Sequence, residues 1–294
     1  MIARFDDDIA SLLDRVWPGL RAAIALGERL GFAWSDISTP FVRRERGRVV
    51  AHVGVIALDL MIEGRRRTVG AVHAVCTDPE ARGRGLARAV MEEVLHHAAG
   101  RWETLVLTTT IPAFYEAFGF RAIGEHRFAC EVAPRRPRGV PARPLDVAAA
   151  DDVRRLRWLL RERAPVSSRL GVLERGEVFV LAELLARGDF SGARYLADLD
   201  AVVACVVQGD TLVLHDVVAR ELPPLDALRE RVAPAARRVV AFFTPDRLDA
   251  PFVAEPYDRA RAVAEGRDWF VGLMARGPLA IAGGPFMMPF AARC

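Results

Sequence analysis

The chain has 294 residues, of which 52% are hydrophobic, and a formal net charge of +3. That length exceeds one compact domain of ordinary size, so two cores are expected, and no run of about eighteen apolar residues is present to cross a membrane. Lys and Asn are absent, so every strongly basic residue is Arg, and these are interleaved with Asp and Glu as on solvated faces, which argues against nucleic-acid binding. The start, Met1-Ile2-Ala3-Arg4-Phe5-Asp6-Asp7-Asp8, is acidic where a secretion signal would be basic and then apolar. Cys76, Cys130, Cys205 and Cys294 are scattered without zinc spacing. A cytoplasmic protein with reduced thiols, no membrane association and no structural metal is expected.

In chain order, residues 6–17 and 18–30 carry apolar side chains at helical spacing (Ile9, Leu12, Leu13, Val16; then Leu20, Ile24, Leu26, Leu30), with Gly31 as a stop. Residues 40–45 and 49–62 flank Arg46-Gly47-Arg48 as a hairpin, and Glu63-Gly64 turns into a strand at 68–76. A Gly/Arg loop leads to a helix from about 83 to 99. A buried strand at 105–110 follows, then a short helix at 111–120 ended by Gly119, and a closing strand at 121–132. Residues 134–144, rich in Pro, Gly and Arg, read as a linker.

The segment Val75-Cys76-Thr77-Asp78-Pro79-Glu80-Ala81-Arg82-Gly83-Arg84-Gly85-Leu86-Ala87-Arg88 carries the chemistry. Gly83 and Gly85 permit backbone conformations closed to other residues, and the free N–H groups of the following first helical turn present partial positive charge to an anion such as a pyrophosphate. No G-x-x-x-x-G-K-[ST] loop occurs, and position 88 is Arg where a dinucleotide fingerprint would have its third Gly, so ATP and NAD are disfavoured.

Strand, Arg82-x-x-Gly85-x-Ala87 and helix together resemble motif A of the GNAT N-acetyltransferase superfamily. Pro112-Ala113-Phe114-Tyr115-Glu116-Ala117-Phe118-Gly119-Phe120 resembles that family's second signature segment. The resemblance spans residues 1–133. It implies an acetyl-CoA site, with the backbone of Val75, Cys76 and Thr77 along the pantetheine arm and Arg82, Gly83, Arg84, Gly85, Leu86, Ala87 and Arg88 around the pyrophosphate. It also implies Tyr115 as general acid for the departing thiolate, although packing with Phe114 and Phe118 is the plain alternative.

Within the family, the segment is similar to the bacterial enhanced-intracellular-survival group of aminoglycoside acetyltransferases, in which a second GNAT-like domain lacks the coenzyme loop. The resemblance implies an α/β fold with a GNAT catalytic domain at 1–133, a linker at 134–144 and a degenerate GNAT-like domain at 145–294. Family members also carry a third, sterol-carrier-like domain, for which this chain is too short. Residues 142–163 echo the N-terminal opening, residues 198–207 and 211–218 form a hairpin around Gln208-Gly209-Asp210, and a helix at 224–232 stands in the motif-A position behind Arg220-Glu221-Leu222-Pro223-Pro224, which has no glycine. The second domain is expected to cover the acceptor side or to form a subunit interface between identical chains. The tail Gly284-Pro285-Phe286-Met287-Met288-Pro289-Phe290 either brings the C-terminal carboxylate to the active site, as the family does, or simply packs.

The expected reaction is direct attack by an amine, from an aminoglycoside-like or polyamine molecule, a small metabolite or a peptide, on the thioester carbonyl. A strand bulge near Val75 supplies an N–H to the carbonyl oxygen and Tyr115 protonates the sulfur. His73, on the same strand face as Val69, Ala71 and Val75, either relays the amine proton or shapes the pocket. Cys76 alternates to the opposite face as a small buried hydrophobe. Phe32, Trp34 and Asp36 follow the second helix, either at the acceptor site or in a surface loop. The alternative to an enzyme is a noncatalytic acyl-CoA sensor or partner-binding module using the same pocket.

Overall fold

The computed structural model describes residues 2–264, 272–279, 281–289 and 292–293. The two opening helices are α1 (Asp7–Val16) and α2 (Leu20–Arg29), followed by a single turn, α3 (Trp34–Ile37). Asp6 caps α1 by accepting the Ile9 N–H, and the apolar stripe Ile9, Leu12 and Leu13 is buried against the sheet. Next come β1 (Ser38–Glu45), β2 (Arg48–Ile62) and β3 (Arg65–Thr77), joined by two tight turns whose paired residues, Arg46-Gly47 and Glu63-Gly64, all have positive φ. That is the turn chemistry that matches the twist of paired strands.

A 3-10 turn at Pro79–Ala81 leads to α4 (Leu86–Ala98), then β4 (Leu105–Thr108), α5 (Pro112–Glu116) and β5 (Arg121–Ala122). After β6 (His126–Glu131) and β7 (Arg143–Pro144) come α6 (Ala150–Glu162), β8 (Leu170–Val172), α7 (Gly176–Arg187), β9 (Ala193–Leu196), β10 (Ala201–Gln208) and β11 (Thr211–Val218). The chain continues through α8 (Leu225–Val232), β12 (Arg238–Ala241), β13 (Val253–Pro256), α9 (Arg259–Ala264) and β14 (Leu273–Arg276). Between β6 and β7 the chain runs without helix or strand, held by N–H bonds from Arg135, Arg138 and Ala142 to carbonyls of residues 230–234.

These elements form two sheets of like design. The first runs β1-β2-β3-β4-β14-β5, with β8 also pairing β2, and the second runs β13-β6-β12-β11-β10-β9-β7. In each, one parallel pair bridged by a helix, β3-α4-β4 and β11-α8-β12, interrupts an otherwise antiparallel sheet. The N-terminal echo is also structural: Ile2 bridges Phe41 on β1, as Arg143 pairs with Tyr195 on β9.

The expected closing strand at 121–132 is corrected. It divides into β5, which stays in the first sheet, and β6, which crosses to the second and lies between β12 and β13. Reciprocally, β14 lies between β4 and β5 in the first sheet. Each sheet is thus completed by a strand from the other half of the chain. The return strands of the second hairpin form as expected, but residues 197–200, Asp198 among them, are a turn after β9.

Two apolar clusters flank the first sheet. One joins α4 (Val90, Met91, Val94, Ala98) to Val53, Val72, Leu105, Leu107, Tyr115 and Met274. The other joins α1 and α2 to Val69, Ala71, Cys76 and Trp34 and continues into α6 and α7. Among the described residues no helix is long and apolar enough to cross a membrane, and no group of three His, Cys, Asp or Glu side chains converges as a metal site.

Candidate active site

The site forms where β3 and β4 part. The parallel pairing is confined to Gly70 with Leu105 and Ala71 with Val106. Beyond it, β3 keeps only β2, while Leu107 and Thr108 turn to β14. At the same level β3 bulges: His52 faces Cys76 and Gly54 faces His73, so Ala74 and Val75 together stand against the single Val53, one residue too many, and Ala74 has φ +47°. The His52 imidazole holds this shape, its Nδ1–H donating to the Ala74 carbonyl at 2.8 Å. Val75 and Thr77 remain half-buried, next to the opening.

The bulge corrects one expectation. Strict alternation places Cys76 opposite His73, but the one extra residue of the bulge inverts the parity and restores it to the cluster that holds Val69 and Ala71. Burial pushes the Cys76 thiol up to about 12, which leaves it unreactive.

Below the bulge, Asp78 accepts the Glu80 N–H and binds Arg15 of α1 at 2.9 Å, anchoring the loop. Gly83 and Gly85 then take φ of +76° and +72°, and a Cβ added to either would touch no protein atom. Gly85 caps α4 without any side-chain bond, so the N–H groups of Leu86, Ala87 and Arg88 have no intrahelical acceptor. Leu86 and Ala87 are half-buried and Arg82 is exposed. Arg88 lies 5.3 Å over the Phe118 ring. Arg84 is already engaged, its guanidinium forked onto Glu45 at 3.0 and 2.6 Å and holding that carboxyl below its usual range.

Pro112 opens α5 at a position where a missing N–H costs nothing, and the turn sets Tyr115 into the α4-side cluster against Phe114 and Phe120. Burial pushes the Tyr115 hydroxyl up to about 12; a hydrogen bond with Thr109 opposes this, and the nearby Cys76 thiol adds to it. Val75 of the bulge and Leu86 at the start of α4 pack against the cluster that holds Tyr115.

His73 faces the other cluster and is buried. Its Nε2 is 3.0 Å from Ser38 Oγ and its ring stands edge-on to Trp34 at 5.2 Å. Desolvation, then the neighbouring His52, lower its pKa to about 3, and desolvation lowers that of His52 to about 4. Phe32 is buried beneath Arg157, whereas Asp36 is exposed. His52, Ser38 and Thr109 escaped the sequence reading. Only His52, a lone polar ring within the apolar strand Val49-Val50-Ala51-His52-Val53, carried a signal of its own.

The tail is fixed as well. Glu125 accepts the Met288 N–H at 2.9 Å and pairs with the buried guanidinium of Arg293. Cys294 and its carboxylate lie outside the described residues.

A family model described as acetyltransferase (GNAT) domain matches residues 7–123. Over these residues the chain is similar to GNAT acetyltransferase domains. No curated protein matches the chain. Among solved structures, Eis1 from Mycobacterium abscessus is similar at 16% identity and a TM-score of 0.57, over 94% of this chain and 73% of that one. A probable N-acyltransferase from Enterococcus faecalis V583 has 13% identity and a TM-score of 0.54, over 94% and 72%. A GCN5-related N-acetyltransferase from Kribbella flavida has 18% identity and a TM-score of 0.52, over 94% and 70%. These likenesses establish the fold: the chain joins its GNAT domain to a second α/β unit with the same strand order, whose helix α8 follows Pro223-Pro224 rather than a glycine loop.

Proposed function

We propose that the protein transfers the acetyl group of acetyl-CoA to a primary amine, of the aminoglycoside or polyamine type or at the end of a small metabolite or peptide. The observation that carries this reading is the meeting of the bulged β3, the uncapped start of α4 and the buried Tyr115 hydroxyl at one opening in the sheet. The N–H groups at Leu86, Ala87 and Arg88 suit a pyrophosphate, with Arg82 and Arg88 as nearby cations. Arg84 would first have to leave Glu45. The parted edge of β3 offers Val75, Cys76 and Thr77 backbone groups to the pantetheine arm.

In the reaction the neutral amine attacks the thioester carbonyl, and a bulge N–H stabilises the oxygen as it becomes an oxyanion. The C–S bond then breaks and Tyr115 gives its proton to the sulfur. A phenol kept protonated by burial is always ready to donate. Positioning is the larger contribution, since effective molarity supplies about 7–11 kcal/mol. We assign His73 to the pocket wall, because a ring enclosed by Trp34, Ser38 and His52 and with so low a pKa is a poor base for an ammonium. The amine proton leaves to water. The two halves, 1–133 and 145–294, act together as one catalytic unit under this proposal.

The test is thiol release from acetyl-CoA against aminoglycosides, polyamines, amino acids and peptides, with calorimetry for coenzyme binding. Turnover is expected with at least one amine. Tyr115→Phe is expected to lower it about tenfold or more while leaving coenzyme binding nearly unchanged. Coenzyme binding without turnover on any amine would favour a sensor.

A further inference from the structure

We propose that His52 is the positioning residue for the oxyanion, its ring holding the Ala74–Val75 peptide so that the Val75 N–H meets the carbonyl oxygen of the bound thioester. The proposal rests on the reading of the bulge as the place of acyl transfer. A carbonyl can only accept, so the 2.8 Å contact between His52 Nδ1 and the Ala74 oxygen fixes the ring proton on Nδ1. The ring is buried and its Nε2 has no partner among the described residues, which leaves that bond as its polar anchor.

The bond also sets a direction. Along β2, Ala51 and Val53 belong to the cluster of α4 and Tyr115, whereas Ile56 and Leu58 belong to that of α1 and α2, and alternation puts His52 on the second side. The Ala74 carbonyl is drawn to that side. In a planar trans peptide the N–H points opposite to the C=O, so the Val75 N–H is turned towards α4 and Tyr115. Val75 has no register partner on β2, and β4 pairs with β3 no further than Ala71. An alanine at φ +47° is a strained backbone, and a bond that secures it secures the aim of the next N–H. His73, seated over Gly54, packs edge-on to the His52 ring with centroids 6.3 Å apart and limits its turning. As negative charge gathers on the acyl oxygen, both ends of the Ala74–Val75 peptide are polarised together, so the bond from His52 strengthens while His52 gives up no proton. The stabilisation is thus larger in the transition state than in the ground state, which is the condition for raising kcat.

The experiment compares His52→Asn with His52→Leu in the full chain. The two side chains are alike in shape and leave the same space unfilled, but only Asn places an N–H at the branch after Cγ, where His52 has Nδ1. The readouts are kcat with the amine turned over fastest in the panel above, calorimetric affinity for free CoA, which has no acyl carbonyl, and the infrared carbonyl band of bound acetyl-CoA labelled with carbon-13 at the acetyl carbonyl. His52→Leu is expected to lower kcat about tenfold or more, to leave CoA affinity unchanged and to move the bound carbonyl band to higher frequency as its hydrogen bond weakens. His52→Asn is expected to keep most of the rate and the wild-type band. Thermal melts check folding, and His52→Phe, which fills the ring's space without a donor, takes the place of a leucine variant that does not fold. Equal rates and equal bands with and without the donor would overturn the proposal, since a ring that merely fills space behaves that way. A slow leucine variant with the wild-type band would also overturn it, because the N–H would still be in place. CoA binding without turnover on any amine would overturn the transferase reading and leave the band to decide the role of His52, whereas a chain that binds no coenzyme would overturn both.

Discussion

Gly54 admits the His73 ring: a Cβ there would lie 2.2 Å from Nε2. The absent side chain lets an imidazole pack into an apolar layer, where Ser38 is its polar contact, while His52 behind it grips the bulge. The His52 Nε2 has no partner among the described residues, so both rings are stable there only uncharged. The unfolded chain takes up these protons near pH 6.5, whereas the native state resists down to about 4 for His52 and about 3 for His73. Their contribution is therefore full above pH 6.5 and is lost as pH falls from there towards 4, by up to about 1.4 kcal/mol per pH unit for each ring. Urea unfolding at pH 7.5 and pH 5 should show this loss. His73→Phe should reduce it to the share of His52, and an unchanged slope would mean that the His73 ring titrates normally. None of this was legible from residue types, because a histidine on a strand reads alike as a base or as a wall.

At the scale of elements, α4 joins two jobs. Its buried stripe of Val90, Met91, Val94 and Ala98 packs on the sheet, while its first turn is left uncapped by a left-handed glycine. A Cβ at Gly85 meets no protein atom, so the cost of Gly85→Ala is the left-handed backbone, about 1–2 kcal/mol, which the loop relieves by moving. Coenzyme affinity should then fall by roughly tenfold or more while circular dichroism keeps the helix content. Retained affinity in calorimetry would remove this loop from the site. The loop and helix were readable in the sequence because glycine spacing and a 3.6-residue period are local signals. A bulge near Val75 was expected, but its effect on strand parity was not worked through, since Ala74 is no sequence marker for a φ of +47°, and so the face of Cys76 came out wrong.

For the whole molecule, the strand exchange is the main structural dependence. Without β14, strand β4 would keep two pairs to β3, β5 would have no neighbour, and Met274 would be missing from the cluster around Tyr115. A chain ending at residue 264 is thus expected to lose cooperative unfolding and coenzyme binding together, read by denaturant melts and calorimetry. Normal binding in that variant would show the first half to be self-sufficient. The sequence by itself determined the order of helices and strands, the paired turns, the phosphate-type loop and the helix bearing Tyr115, because each depends on neighbours within a few turns or one hairpin. Only the tertiary structure decided which sheet β6 and β14 join, which face Cys76 takes, and that Thr109 meets Gly272. Strand partners are chosen by which edges are left open after collapse, and residues 109 and 272 become neighbours only once the far end of the chain has filled the edge beside β4.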